Sequence, residues 1–216
     1  GTCTVLQCAR EAGVKKVMYS STSSAYGLNE SPNIETQRND CLNPYSVSKV
    51  AGEEVCKMYT NLYGLPTVIF RYFNVYGERE PLKGVYAPVV GLFLRQKKAN
   101  EPLTIVPDGT QRRDFTHVVD VVNANLLAME VDHDHYGEVF NVGTGSNFSI
   151  KKIAKLISFI LLKVLRLKNI QLVKRKGINY QLDLQQGIDL SIFIFGSFQN
   201  KIINILIYLS TYECIC

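Results

Sequence analysis

Helical and strand-like segments alternate along the chain with short connections, and this order constrains the fold more than any other feature. Apolar residues recurring about every 3.6 positions are typical of helices, and short apolar runs bounded by turn residues are typical of buried strands. Strands separated by helices usually pair in parallel, so the sequence predicts an α/β fold with a doubly wound parallel sheet. In chain order we predict a helix at Thr2–Ala12, a strand at Lys16–Ser20, a helix from Pro44 to Tyr63, a strand at Thr67–Phe70, a helix at Tyr86–Arg95, strands at Leu103–Val106 and Asp114–His117, a helix at Val118–Met129, a strand at Glu138–Val142 and a helix from Ile150 to about Leu162.

The composition of the chain changes toward its end. Residues 151–216 contain thirteen isoleucines, against four in residues 1–150, and carry ten basic and three acidic side chains. Residues 1–150 carry fourteen basic and sixteen acidic ones, so the net charge of +5 comes from the last part of the chain. Because the body is slightly acidic, no nucleic-acid partner is expected. We interpret residues 171–216 as an atypical tail outside the native fold, with an unusual C-terminal lobe as the alternative.

The cysteines and the hydropathy indicate where the protein works. Six scattered cysteines form no CxxC pair and have no histidine at zinc-ligand spacing, as is typical of a reducing cytosol. His133-Asp134-His135 is interpreted as a polar turn rather than a metal site, so no metal is expected. No apolar run reaches the roughly 18 residues that span a bilayer, and no signal peptide is evident. We therefore expect a cytoplasmic protein without a membrane partner.

A cluster of hydroxyl side chains follows the first predicted strand, in the stretch SSTSSAYG at Ser20–Gly27. Ligands in open α/β sheets bind beyond the carboxyl ends of strands, so these hydroxyls are placed to bind a substrate oxygen. A Ser/Thr-rich loop that caps itself is the alternative, and taken alone this stretch favours it.

Tyr45 and Lys49 lie four residues apart at the start of the helix that Asn43 caps and Pro44 begins. Residues at this spacing face the same side of a helix. A tyrosine hydroxyl is ordinarily a poor base at neutral pH, but a nearby ammonium group favours the phenolate and allows proton transfer. The spacing alone recurs by chance, and its position 23 residues after Thr22 gives it weight.

Two further stretches carry polar candidates, RYFNVYG at Arg71–Gly77 and DGTQRRDFTHVVDVV at Asp108–Val122. Arg113 is a candidate ligand for a phosphate, because a guanidinium group matches phosphate oxygens; a surface pair with Asp114 is the alternative. Asn74 either donates to a phosphate or shapes its loop.

Together the motifs AREAGVKKVMYSS, SSAYG, NPYSVSK, RYFNVYG, RRDFTHVVDVV and FNVGTG, in this order, resemble the NAD-dependent sugar-nucleotide epimerase/dehydratase group of extended short-chain dehydrogenases/reductases. The similarity covers about residues 1–160 and is strongest to UDP-glucose 4-epimerases and their UDP-N-acetylglucosamine relatives. It implies a partial Rossmann-like NAD(P)-binding domain over residues 1–150, with elements of the substrate lobe interleaved. A last family-like helix and strand are implied at residues 151–170, as part of a partial C-terminal substrate lobe.

The resemblance also implies roles for single residues. Tyr45 looks like the active-site base, Lys49 like its partner and a ligand of the nicotinamide ribose, and Thr22 like the residue that binds the sugar hydroxyl. The other residues that it implicates are Ser20, Ser21, Tyr72 and Phe73 for the cofactor, and Asn74 and Arg113 for the diphosphate of the substrate.

The implied reaction is a redox isomerisation of a UDP-sugar with NAD as cofactor. Tyr45 takes the proton of the 4-hydroxyl while a hydride passes from C4 to NAD; the 4-keto sugar turns over and the hydride returns to its opposite face. Dehydratase relatives carry an Asp-Glu pair after the position of Thr22, and decarboxylating relatives keep the glutamate. Ser23 and Ser24 stand there in this chain, which favours an epimerase. A dehydratase or reductase of the same family is the alternative.

The sequence departs from the family at the phosphate-binding loop, because no GxxGxxG stretch occurs in it. We therefore expect a sheet that lacks its first strands, with Lys16–Ser20 as an edge strand. We also expect that this chain alone binds NAD weakly or not at all, and an inactive fragment is a further alternative. The family resemblance implies a homodimer of the intact enzyme through Thr2–Ala12 and Tyr45–Tyr63.

Overall fold

The computed structural model describes residues 1–80, 88–106, 108–130 and 134–159. They belong to two compact units, one formed by Gly1–Arg79 with Arg112–Phe148, the other by Glu80–Gln111 with the residues from Ser149 onward. In chain order the elements are α1 (Thr2–Glu11), β1 (Val17–Thr22), a 3-10 helix (Ser23–Tyr26), α2 (Pro44–Tyr63), β2 (Thr67–Tyr72), β3 (Asn74–Tyr76), α3 (Val89–Lys98), β4 (Arg112–His117), α4 (Val118–Glu130), β5 (Val139–Val142) and β6 (Asn147–Ser149).

The main sheet of the first unit is parallel and has the strand order β1-β2-β5. Its register aligns Thr22 with Tyr72 and Tyr72 with Val142, so the carboxyl ends of the three strands lie side by side. The predicted parallel α/β sheet is confirmed. Within the described residues β1 pairs only with β2, as expected of an edge strand.

Helices cover both faces of this sheet. Ile69 of β2 packs with Leu6 of α1 and Cys56 of α2 on one face, whereas Val68 and Phe70 pack with Ala128 of α4 on the other. Successive strand residues point to opposite faces, so β2 is apolar on both sides. This double burial explains the continuous apolar run TVIF, and the expected doubly wound arrangement is confirmed.

Helix α2 begins and ends where its flanking residues require. The Asn43 Oδ1 atom accepts a hydrogen bond from the Ser46 N–H at 2.9 Å, and the Ser46 side chain accepts one from the Asn43 N–H, which completes a capping box. Gly64 follows the helix with a φ of 68° and donates its N–H to the Thr60 carbonyl. Both predicted boundaries are confirmed.

The first unit also contains a second sheet, of order β3-β4-β6, in which β3 and β4 run parallel. The predicted strand Asp114–His117 is the greater part of β4. The strands β3 and β6 were not predicted, because each has three residues and so shows no usable periodicity.

The predicted strand Leu103–Val106 is wrong, since these residues have no regular secondary structure. The Gln96 side chain of α3 accepts the Thr104 N–H at 3.1 Å and donates to the Thr104 hydroxyl at 2.7 Å. These contacts satisfy groups that a strand partner would otherwise bind. Helix α3 begins three residues later than predicted, and Tyr86 lies outside the described residues.

The last predicted helix begins as expected. The Ser149 hydroxyl accepts the Lys152 N–H at 3.2 Å, and residues 150–159 are helical. Its end near Leu162, and the predicted division of the chain at residue 170, lie outside the described residues. Among the described helices, none has the length and apolar character needed to cross a bilayer.

Candidate active site

Tyr45 and Lys49 lie on one face of α2, next to the carboxyl end of β1. The Lys49 ammonium donates a hydrogen bond to the Ser20 carbonyl at 2.8 Å and lies 6.0 Å from the centroid of the Tyr45 ring. The Tyr45 side chain is 55% exposed. A cation is therefore held near an accessible tyrosine ring, and the role of the two side chains in proton transfer stays a prediction.

Thr22 ends β1 and caps the 3-10 helix that follows. Its Oγ1 atom accepts the Ser24 N–H at 3.1 Å, so the self-capping interpretation of the SSTSSAYG stretch is correct for this residue. A hydroxyl accepts through a lone pair and keeps its hydrogen for donation. The capping bond therefore fixes the Thr22 side chain without using its donor.

The Ser21 side chain is buried and donates a short hydrogen bond to the Glu53 carboxylate. Its predicted contact with a cofactor stays a prediction, and the side chain itself is committed to Glu53. Ser20 contributes its carbonyl to Lys49, as described above.

Glu53 and Arg71 form a buried ion pair that the sequence reasoning missed. The Arg71 Nε and Nη2 atoms donate to the two Glu53 carboxylate oxygens at 2.9 and 2.6 Å, and Nη2 also donates to Asn39 at 2.7 Å. Burial lowers the pKa of Arg71, but its hydrogen bonds and the Glu53 charge outweigh that effect and raise the pKa above the ordinary value. The available signal was a charged residue directly after the apolar run of β2.

Tyr72 and Phe73 leave the sheet in different directions. The Tyr72 hydroxyl exchanges hydrogen bonds with the Asn125 amide of α4 at about 3 Å, on the sheet face opposite α2. The Phe73 N–H donates to the Val142 carbonyl at 3.2 Å, and its ring stacks on Tyr26 with centroids 6.4 Å apart. The structure therefore does not bring the Tyr72 side chain together with Tyr45 and Lys49, and the cofactor roles of Tyr72 and Phe73 stay predictions.

Asn74 begins β3, and Asp114 lies in β4. The Asn74 amide donates to the Asp114 carbonyl at 3.2 Å and so links β3 to β4, while its contact with a diphosphate stays a prediction. The Asp114 carboxylate accepts the Thr144 and Gly145 N–H groups and the Thr144 hydroxyl. This carboxylate thus holds the 143–146 loop.

Arg113 is exposed, and its Nη1 atom donates to the Arg112 carbonyl at 2.8 Å. Its predicted diphosphate contact is not tested by this geometry and stays a prediction. No cluster of three or more potential metal ligands occurs among the described residues.

These features define a parallel α/β protein with a tyrosine and a lysine side by side next to the carboxyl end of β1. The family model for the NAD dependent epimerase/dehydratase family matches residues 1–143, and the chain belongs to this family. The predicted family membership is thereby confirmed.

The relatives and solved structures agree with this assignment. The chain is 38% identical over 159 residues to a putative UDP-glucose 4-epimerase of Methanocaldococcus jannaschii, covering 73% of this chain and 50% of that protein. Its fold is similar to a UDP-N-acetylglucosamine 4-epimerase from Methanobrevibacter ruminantium (TM-score 0.71, 33% identity, 74% of this chain and 51% of that one). It is also similar to a UDP-glucose 4-epimerase from Thermotoga maritima (TM-score 0.69, 38% identity, 74% and 51%). The chain thus spans about half the length of the curated relatives it matches.

Proposed function

We propose that this chain carries the acid/base site of an NAD-dependent epimerase that inverts C4 of a UDP-sugar in the cytoplasm. The observation that carries the proposal is the position of Lys49, which binds the Ser20 carbonyl two residues before Thr22 and lies beside the exposed Tyr45 ring. The family assignment and the names of the relatives support it.

Each residue of the pair has a defined task in this reaction. Tyr45 accepts the proton of the sugar 4-hydroxyl and returns it after inversion, while the Thr22 hydroxyl donates to the same sugar oxygen and orients it. The Lys49 ammonium group has three N–H donors, and one of them binds the Ser20 carbonyl. The other two suit the vicinal hydroxyls of a ribose. Lys49 would hold NAD by its ribose, and the bound cofactor would supply hydride transfer from and to C4.

The described residues fit the nicotinamide end of NAD better than its pyrophosphate. Lys49 supplies cationic donors for a ribose, but the sequence contains no GxxGxxG loop to bind the pyrophosphate at a helix N-terminus. We therefore expect weak NAD binding by this chain. Isothermal titration calorimetry tests this directly, and a low-micromolar dissociation constant would contradict it.

The residues after Thr22 favour an epimerase over a dehydratase. Ser23 and Ser24 form the start of the 3-10 helix, so no carboxylate stands there to move the proton that water elimination requires. The two reactions are separated by their products from UDP-glucose and NAD: an epimerase yields UDP-galactose, and a dehydratase releases a 4-keto sugar. Detection of a released keto product would favour the dehydratase.

A homodimer is part of the proposal. Val5 of α1 and Leu62 of α2 are 62% and 65% exposed, and the two helices contact each other. Helices from two copies can cover these side chains by packing together.

A further inference from the structure

Consecutive residues of β1 hold α2 through polar contacts. The Tyr19 hydroxyl donates to the Lys49 carbonyl at 3.2 Å, the Ser20 carbonyl accepts the Lys49 ammonium, and the Ser21 hydroxyl donates to Glu53. Lys49 and Glu53 are four residues apart, so they lie on one face of α2 together with Tyr45.

The two halves of α2 are attached to the sheet in different ways. Cys56 and Tyr59 of the C-terminal half belong to the apolar core, whereas Tyr45 and Val47 at the start of the helix are exposed. The half that carries Tyr45 therefore owes its position largely to polar contacts.

The ion pair between Glu53 and Arg71 is the most directional of these contacts. Both side chains are almost fully buried, and two donors of Arg71 meet the two oxygens of Glu53. Such a fork fixes distance and angle together, unlike apolar packing. The pair joins α2 to β2 at Arg71, the residue directly before Tyr72. Ser21, the residue directly before Thr22, joins the Glu53 carboxylate to β1.

Stability alone does not explain this pair. Removing two charges from water is costly, and apolar side chains of similar volume often stabilise a fold as well or better. Within the described residues, the Arg71 Nη1 atom is buried without a hydrogen-bond partner, which adds to the cost.

We propose that Glu53 and Arg71 are positioning residues, which set the register of α2 on β1 and β2 and thereby the place of Tyr45 relative to Thr22. The catalytic meaning of this register rests on the proposed function. The register itself is a property of the ligand-free chain and can be measured without turnover.

The experiment compares thermal stability with an NMR signal from Tyr45. The wild-type chain and its variants are labelled at the tyrosine Cζ carbon, and the Tyr45 resonance is assigned by its loss in Tyr45→Phe. Glu53→Gln leaves the Arg71 charge buried and unpaired, so it should lower the melting temperature and displace the Tyr45 resonance. The double variant Glu53→Met with Arg71→Met removes both charges and should recover most of the stability while the resonance stays displaced.

The result that overturns the proposal is a double variant with recovered stability and a wild-type Tyr45 resonance, because the pair would then be replaceable by apolar packing. Should the double variant fail to fold, Arg71→Lys provides the test: it keeps the charge and loses the fork, so the proposal requires a displaced resonance. An unchanged resonance in that variant would overturn it.

The matched control is Glu54→Gln, which breaks the exposed contact with Lys57 on the same helix. It should change neither the stability nor the Tyr45 resonance measurably. Absence of turnover by the wild-type chain, together with a displaced Tyr45 resonance in the Glu53 and Arg71 variants, would refute the proposed function and leave the positioning role intact.

Discussion

Replacing Gly52 of α2 by alanine should destabilise the protein, although alanine is the better helix former. A Cβ atom at this position would lie 2.0 Å from the Tyr19 hydroxyl oxygen and 2.5 Å from its Cζ atom. The helix gains about 1 kcal/mol from the replacement of glycine. Overpacking costs about 1–3 kcal/mol. The displaced Tyr19 ring would also lose its hydrogen bond to the Lys49 carbonyl, which costs about 1 kcal/mol.

The expected net effect is a loss of about 1–3 kcal/mol in the free energy of unfolding, measured by urea denaturation. Gly91→Ala in α3 is the matched control, because the atoms nearest to the new Cβ atom belong to the flexible end of the Glu80 side chain, at 2.9 Å. That side chain can move aside but would then lose its hydrogen bond from the Gly91 N–H, which offsets the gain in helix propensity, so the control should be about neutral. A Gly52→Ala variant as stable as the wild type would refute the close approach of α2 to β1.

Three further outcomes are expected. Asn43→Ala should lower the free energy of unfolding by about 1 kcal/mol in urea denaturation, because it removes the cap of α2; no loss would contradict the capping role. At about pH 8 Cys56 should resist alkylation in the folded protein while the exposed Cys3 and Cys8 react, because burial raises the pKa of the Cys56 thiol to about 11 and keeps it protonated. Mass spectrometry of the peptides measures the labelling, and rapid labelling of Cys56 in the folded protein would contradict this expectation. Leu62→Glu should shift sedimentation from dimer to monomer, because it places a charge in the proposed interface; a dimer of unchanged stability would exclude α2 from that interface.

The sequence predicted those parts of the fold whose causes are local. Asn43 and Gly64 determine the ends of α2 within a few residues of chain, and the apolar run of β2 indicated a strand buried on both faces. Leu103–Val106 has a strand-like composition, but a side chain of α3 satisfies its backbone, and nothing within the segment indicates this.

The candidate site was predictable to the same extent. The spacing of Tyr45 and Lys49 follows from the helical repeat, and the structure places both beside β1. The ion pair of Glu53 with Arg71 joins residues 18 positions apart across a helix and a strand; the charged residue after the apolar run of β2 was a signal, but it does not identify the partner. The position of the Tyr72 side chain on the opposite sheet face depends on strand alternation at the end of β2, which the motif alone did not resolve.

The most direct test of the account is the interconversion of UDP-galactose and UDP-glucose by this chain across a series of NAD concentrations. We predict conversion that rises with NAD well beyond low-micromolar concentrations and that falls at least about a hundredfold in Tyr45→Phe. Tyr63→Phe, at the far end of the same helix, should convert as the wild type does. Equal conversion by Tyr45→Phe would contradict the assignment of Tyr45 as the acid/base residue of an epimerase, and absence of conversion at every NAD concentration would contradict an epimerase activity of this chain alone.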